Sequence, residues 1–403
     1  MWVFYFFAVI VILQGIASLR NGFSYLKYVR REMSKPPSDF TPLVSLIAPC
    51  RGLDQGFKEN LAALFHQDYP AYEIIFVTDK ADDPSMETIE QVCRAFGAHE
   101  SIKSRIVIAG ETLESGQKVH NLCAAVSEAA AMTVCFVFTD TDGRPGANWL
   151  RALVAPLADK TVGAATGYRW FIPERGGVAS HLRAVWNASV ASALGEHGDK
   201  NFCWGGATAI RREVFEKLEM LKHWRGTVSD DFTLMRALRR AKLPIYFVPA
   251  CLTASIEDCN FRELLEFTTR QLKITRVYAS HFWKAVLLGG MLFDTVFFGG
   301  LALVVTRAAL GHNYALPLIL LSSIFILGAG KSALRLRAVK LALKDYKAQL
   351  NKSALAHLTL WPITSTIFLY NALCALFSRR INWRGITYEL KSPTETVIMT
   401  RQK

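Results

Sequence analysis

Eight cysteines are scattered through this chain without a single C-x-x-C pair. That excludes zinc-ribbon spacing, and the scatter describes no disulfide framework. None of the nine histidines stands in H-E-x-x-H, so the zincin metalloprotease site is excluded. There is no G-x-S-x-G nucleophile elbow, and the G-x-x-x-x-G-K-[ST] phosphate loop is missing. Internal repeats and low-complexity linkers are not apparent. Acidic residues are few beside basic ones: 34 Asp and Glu against 47 Lys and Arg, a net charge of +13.

What the chain has in quantity is apolar sequence. Hydrophobic residues make up 51%, and mean hydropathy is positive, which is unusual for a soluble α/β enzyme. Residues 2–19 are almost wholly apolar and long enough to span a bilayer. No basic segment precedes them and no small-x-small cleavage site follows, which argues against a signal peptide. Arg20, Lys27, Arg30, Arg31 and Lys35 come next. The positive-inside rule therefore places the following segment in the cytoplasm and the amino terminus outside.

Three further apolar runs cover about 285–309, 313–330 and 354–377. The first contains Asp294, which in a membrane helix is either a functional group or a helix-to-helix hydrogen bonder. Basic residues flank the last run on both sides, from Lys331 to Lys347 before it and at Arg379, Arg380 and Arg384 after it. Both flanks read as cytoplasmic, whereas four spans counted from an outside amino terminus put the tail outside. Either one run is re-entrant or one basic flank is an exception. Residues 261–284 mix Leu264, Leu272 and Trp283 with Arg270, Lys273 and Lys284. They read as a helix lying on the membrane surface, with an ordinary packing helix as the plainer reading. The net charge fits anionic lipid and nucleotide phosphate. It is not evidence for nucleic acid, because the basic residues gather beside apolar runs.

Between the first two runs the pattern changes. Val44–Ala48, Tyr72–Val77, Arg105–Ala109 and Thr133–Thr139 read as strands, with helical stretches at about 56–66, 85–97 and 118–131 between them. Such alternation argues for a parallel sheet with helices on both faces. Asp140-Thr-Asp142 closes the fourth strand. Two carboxylates one residue apart at a strand's carboxyl end suit Mg2+ or Mn2+, which takes one or two carboxylates and leaves positions for phosphate oxygens. An Asp-rich turn is the plainer reading. Asp79 ends the second strand and is either a turn carboxylate or an acceptor for a nucleotide base or ribose. Lys118 sits at a helix start, where an anion would relieve its clash with the positive helix end; alternatively it is a solvated surface lysine. Cys203-Trp-Gly-Gly206 leads into a strand and then a helix carrying Phe215. Ser229-Asp230-Asp231 opens another helix. Ser229 or Asp230 is expected as its N-cap with Asp231 in the first turn, and the adjacent acids raise each other's proton affinity, which suits a general base.

These segments, in this order, resemble the family 2 inverting glycosyltransferases, and within them the ceramide-glucosyltransferase-like membrane enzymes. The carriers are Ala48-Pro-Cys-Arg51-Gly52, Asp68-Tyr-Pro70, Asp82-Asp83-Pro84, Lys118-Val-His-Asn121, Asp140-Thr-Asp142, Ser229-Asp-Asp231-Phe232, and Asn382-Trp-Arg-Gly385 with Tyr388. The resemblance implies a nucleotide-sugar-binding Rossmann-like domain of GT-A type, with a mixed, mostly parallel sheet, plus transmembrane helices. It implies nucleotide contact by Asp79, substrate binding by Arg51, Lys118, Asp230, Arg270 and Lys273, metal and nucleotide held by Asp140 and Asp142, and Asp231 as base. The family's Gln/Arg-x-x-Arg-Trp motif has its nearest match at Arg270-Gln-Leu-Lys273-Ile274. Lys keeps the charge and loses the bidentate fork, and Ile removes a ring on which a growing sugar chain could stack.

The expected organisation is a membrane helix over 1–19, a basic linker over 20–42 and a cytoplasmic catalytic domain over 43–260. An interfacial helix over 261–284, a membrane region over 285–378 and a basic tail over 379–403 follow. The expected activity is transfer of a hexose, glucose first, from a UDP-sugar to a lipid hydroxyl such as that of ceramide, with a divalent metal and inversion. A processive polysaccharide synthase and a non-catalytic nucleotide-sugar binder are the competing readings. The first would want more spans and the missing Trp.

Overall fold

A computed structural model describes residues 1–97 and 101–401. The chain opens with α1 (Trp2–Met33), β1 (Val44–Pro49), α2 (Phe57–Phe65), β2 (Tyr72–Thr78), α3 (Met86–Phe96) and β3 (Ile102–Ile108). It continues through α4 (Gln117–Ser127), β4 (Cys135–Thr139), α5 (Trp149–Val154), β5 (Ala164–Ile172), α6 (Val178–Ala191) and β6 (Ala207–Arg211). Next come α7 (Arg212–Lys217), α8 (Met220–Trp224), α9 (Asp230–Arg240), β7 (Ile245–Ile256) and α10 (Phe261–Tyr278). The long helices α11 (Ser280–Ala309) and α12 (Ala315–Ala342) precede α13 (Lys347–Lys352), α14 (Ala354–Thr359) and α15 (Trp361–Phe377). Strands β8 (Arg380–Trp383), β9 (Ile386–Ser392) and β10 (Glu395–Arg401) close the chain. Two compact units result: 1–30 with 172–192 and 258–378, and 31–171 with 193–257 and 379–403.

The second unit is built on a seven-stranded sheet of order β3-β2-β1-β4-β6-β5-β7. Strands β3, β2, β1 and β4 are parallel, and β6 runs antiparallel between β4 and β5. The mixed, mostly parallel sheet is thus as expected. Every residue of β2 and β4 is buried, which is what a strand covered on both faces requires. Ile47 lies opposite Ile75 on one side and Phe138 on the other, so β1, β2 and β4 end at one level. That register gathers Arg51, Asp79 and Asp140 at a common sheet edge.

The segment expected as a basic tail is folded within this unit. β8, β9 and β10 form an antiparallel sheet, with residues 402–403 outside the described residues. Arg384 and Gly385 make the tight β8–β9 turn at φ 51° and 74°, the left-handed pair such a two-residue turn needs. Tyr388 is buried, and its hydroxyl accepts from the Gln117 amide at 3.1 Å.

The first unit is helical. Its clusters join Trp186 of α6, Leu272 of α10, Trp283 of α11 and Ala372 of α15, and join Ala8 of α1 with Val296 of α11 and Ile324 of α12. α1 and α12 run parallel, because Gly15 meets Leu327 and Gly22 meets Leu334. Among the described residues three helices, α1, α11 and α12, are long and apolar enough to cross a membrane. They expose Phe6, Leu13, Leu288, Leu301, Ile319 and Ile326. The fourth apolar run is broken into α14 and the 17-residue α15. On helix α10 Leu264 packs with Ala179 and Leu182, and Leu272 with Trp186, whereas Phe261 at its start is exposed.

Candidate active site

Asp140 and Asp142 stand just past β4, both partly exposed. Lys118, in the first turn of α4, reaches Asp140 at 2.7 Å and Asp230 at 3.4 Å. Arg169, from the middle of β5, places its fork on Asp142 at 2.8 and 3.1 Å and touches Asp140 at 3.3 Å. Its guanidinium also stacks over Trp204, 5.1 Å from the ring centre. Five residues from four elements therefore form one continuous charged network. At the amino end of α4 the Gln117 N–H donates to the Tyr388 hydroxyl.

The acid pair divides at the start of α9. Ser229 is the N-cap, accepting from the Phe232 amide at 3.2 Å. Asp231 Oδ1 accepts from the Ser229 hydroxyl and from the Phe232 amide, at 2.7 Å for the latter. Asp230 is 5% exposed and turns to Lys118. Burial pushes its carboxyl up to about 6; Asp231 and Asp140 add to the rise and Lys118 opposes it. Burial also acts to raise Asp140, but Lys118 and Arg169 outweigh it and hold that carboxyl below its ordinary value. Burial works against the charge of Lys118, yet Asp140 and Asp230 hold its pKa above the usual lysine range. The Gly205 backbone lies against this pair: a Cβ there would stand 2.3 Å from Asp230 Oδ2 and 2.7 Å from Lys118 Nζ.

Arg51 pairs with Asp79, which is 3% exposed, and donates to the Arg384 carbonyl at 3.0 Å. Arg384 in turn holds Asp54 with contacts of 2.6 and 2.7 Å. Arg270 and Lys273 lie on α10 in the helical unit, Arg270 over the Phe267 ring and Lys273 half-buried with its pKa lowered by desolvation.

The network is acidic on balance. Asp54, Asp140, Asp142, Asp230, Asp231 and Glu257 surround Lys118, Arg169 and Arg384. Among the described residues no three His, Cys, Asp or Glu are grouped to hold a resident metal. Two partly exposed carboxylates in an acidic surround do fit a hard cation that keeps water and phosphate oxygens as its other ligands.

The family model described as "Glycosyl transferase family 21" matches residues 5–396. The chain belongs to that family. It is accordingly a glycosyltransferase, and the resemblance to ceramide-glucosyltransferase-like enzymes is borne out. Ceramide glucosyltransferase 3 of Caenorhabditis elegans is 21% identical over 375 residues, 91% of this chain and 76% of that one. Ceramide glucosyltransferase 1 of the same organism is 28% identical over 93 residues, 23% of this chain and 19% of its own. Among solved structures, the mannosyltransferase PcManGT of Pyrobaculum calidifontis, in complex with GDP-Man and Mn2+, is similar at 18% identity and TM-score 0.46, covering 92% of this chain and 98% of that one. Glucosyl-3-phosphoglycerate synthase of Mycobacterium tuberculosis, solved with Mn2+ and UDP-glucose, is similar at 15% identity and TM-score 0.37, covering 62% and 82%.

Sequence reasoning missed Arg169, Trp204 and Arg384 as neighbours of this charged network. Arg169 had a signal: a lone arginine in a nine-residue strand buried throughout must find an acid. Arg384 stood in the Asn382-Trp-Arg-Gly385 segment that carried the resemblance but was given no role, because only the β8–β9 turn brings it to Asp54.

Proposed function

We propose that this glycosyltransferase moves a hexose, glucose first, from a UDP-sugar to the hydroxyl of ceramide or a similar lipid, with inversion. The observation that carries the reading is the single network of Lys118, Asp140, Arg169, Asp142 and Asp230 beside Asp231. Asp140 and Asp142 would hold a divalent cation. When bound, it supplies Lewis-acid neutralisation of the leaving diphosphate. Lys118 and Arg169 place two fixed cations where charge develops on that group. Asp79 and Arg51 bind the nucleoside end. Asp231, with Oδ1 held by Ser229 and the Phe232 amide, presents its other oxygen to the acceptor hydroxyl and takes its proton. The alkoxide attacks the anomeric carbon opposite the diphosphate in one displacement, so no protein nucleophile is needed.

Three crossings, by α1, α11 and α12, give an integral membrane protein whose catalytic unit lies on the cytoplasmic side. Because α1 and α12 are parallel, the basic residues after each fall on one face, and the conflict in the four-span count disappears if α15 does not cross. Incubating membranes that contain the protein with a panel of UDP-sugars and lipid extract, and weighing the products by mass spectrometry, tests the reading. A glycolipid larger than its acceptor by one hexose supports it, whereas a polymer or no product removes it.

A further inference from the structure

A second charged cluster lies wholly within the helical unit and does not depend on the transferase reading. Arg335 of α12 is 5% exposed, and its Nε is buried without a hydrogen-bond partner. Among the described residues its one hydrogen bond runs from Nη1 to the Ser189 hydroxyl, at 3.4 Å. One turn earlier Lys331 donates to the Ser18 hydroxyl at 2.8 Å. His357 of α14 is 2% exposed and feels Arg335, His181 and Lys340. Burial and those cations push it down to about 3, so it is neutral and offers no counter-charge.

Among the described residues no acid pairs with Lys331 or Arg335. Helices α6, α12 and α14 contain neither Asp nor Glu, and α1 has none before Glu32. Buried Arg and Lys in proteins are paired, and an unpaired charge in an apolar bundle is strongly disfavoured. A general basic flank does not explain this: Arg337, two residues on, is exposed in the ordinary way. Depth identifies the missing anion. Ser18 and Lys331 stand where the apolar runs 2–19 and 313–330 end, on helices that run parallel, which is the level of lipid headgroups.

We propose that Lys331 and Arg335 form a binding site for the phosphate of an anionic phospholipid, with Ser18 and Ser189 as neutral supports. The test uses detergent-purified full-length protein. Native mass spectrometry reads retained phosphatidylglycerol, and melting curves are taken with phosphatidylglycerol or inorganic phosphate. Wild type should retain the lipid and melt higher with it, and Arg335→Gln should weaken retention by roughly 30-fold or more, as expected when one side of a buried charge contact is removed. Arg335→Lys should keep part of the binding, which separates loss of the site from loss of the fold. Arg337→Gln should bind as wild type does. Equal retention by Arg335→Gln and wild type would overturn the site. So would an equal loss in Arg337→Gln. Stabilisation by inorganic phosphate without lipid retention would overturn the lipid assignment.

Discussion

Asp231 and Asp230 are neighbours with different surroundings, and their variants should differ accordingly. Asp231→Asn keeps the shape and most of the cap contacts but cannot accept a proton, so kcat should fall roughly 10²–10⁴-fold with little change in donor affinity. Single-turnover rates and UDP displacement measure the two quantities. Near wild-type turnover would end the base assignment. Asp230 carries the pH signature. Its carboxyl moves from an ordinary 3.8 to about 6 on folding, so between those values the native state binds more protons than the unfolded chain. Stability from this group is therefore greatest below the lower value and declines as pH rises through the upper one. Melting curves from pH 4 to 7 should show a steeper decline in wild type than in Asp230→Asn, and equal slopes would contradict the environment described for Asp230. Most of these residues were legible because carboxylates at strand ends and beside an N-cap leave local patterns. Arg51, Asp79, Lys118, Asp140, Asp142, Asp230 and Asp231 were all named. What they would pair with was not legible, since Arg169 and Arg384 come from β5 and the β8–β9 turn, far away in sequence.

At the scale of elements, the first four strands and the β6–α7 and α9 segments followed from apolar runs and turn chemistry. β5, β7 and the C-terminal sheet did not. β5 carries an arginine and a glycine inside a buried run, which blurs its pattern, and each of β8–β10 carries charged residues. The elements around the site are joined closely. Gly116 N donates to Thr227 O at 2.7 Å, tying the start of α4 to the loop before α9. Gly205 brings the approach to β6 against Lys118 and Asp230. Gly205→Ala inserts a methyl where no Cβ fits, so it should displace that ion pair and cost about 1–3 kcal/mol, the usual range for overpacking. Donor affinity should fall as well. Melting curves and UDP titration check both, and unchanged donor affinity would show that the Lys118–Asp230 pair plays no part in binding.

For the whole molecule, the fold and the membrane character were readable from composition and alternation, whereas the number of crossings was not. Hydropathy gave α15 the same weight as the longer runs; the 17-residue length and its packing on α10 and α6 distinguish it. The three proposed crossings predict that a cysteine introduced at exposed Lys222, or at exposed Arg337, is shielded in intact cells and reacts with an impermeant maleimide only after permeabilisation. One placed at His312, between α11 and α12, should react from outside. Labelling Lys222→Cys in intact cells would reverse the orientation. The central claim, single-displacement transfer to a lipid hydroxyl, is tested most directly by the product itself. Purified full-length protein is given UDP-glucose, whose anomeric bond is α, with ceramide and Mn2+, and the glycolipid is analysed by NMR. The account predicts one glucose per lipid in β linkage with UDP released, and an α-linked product would contradict it.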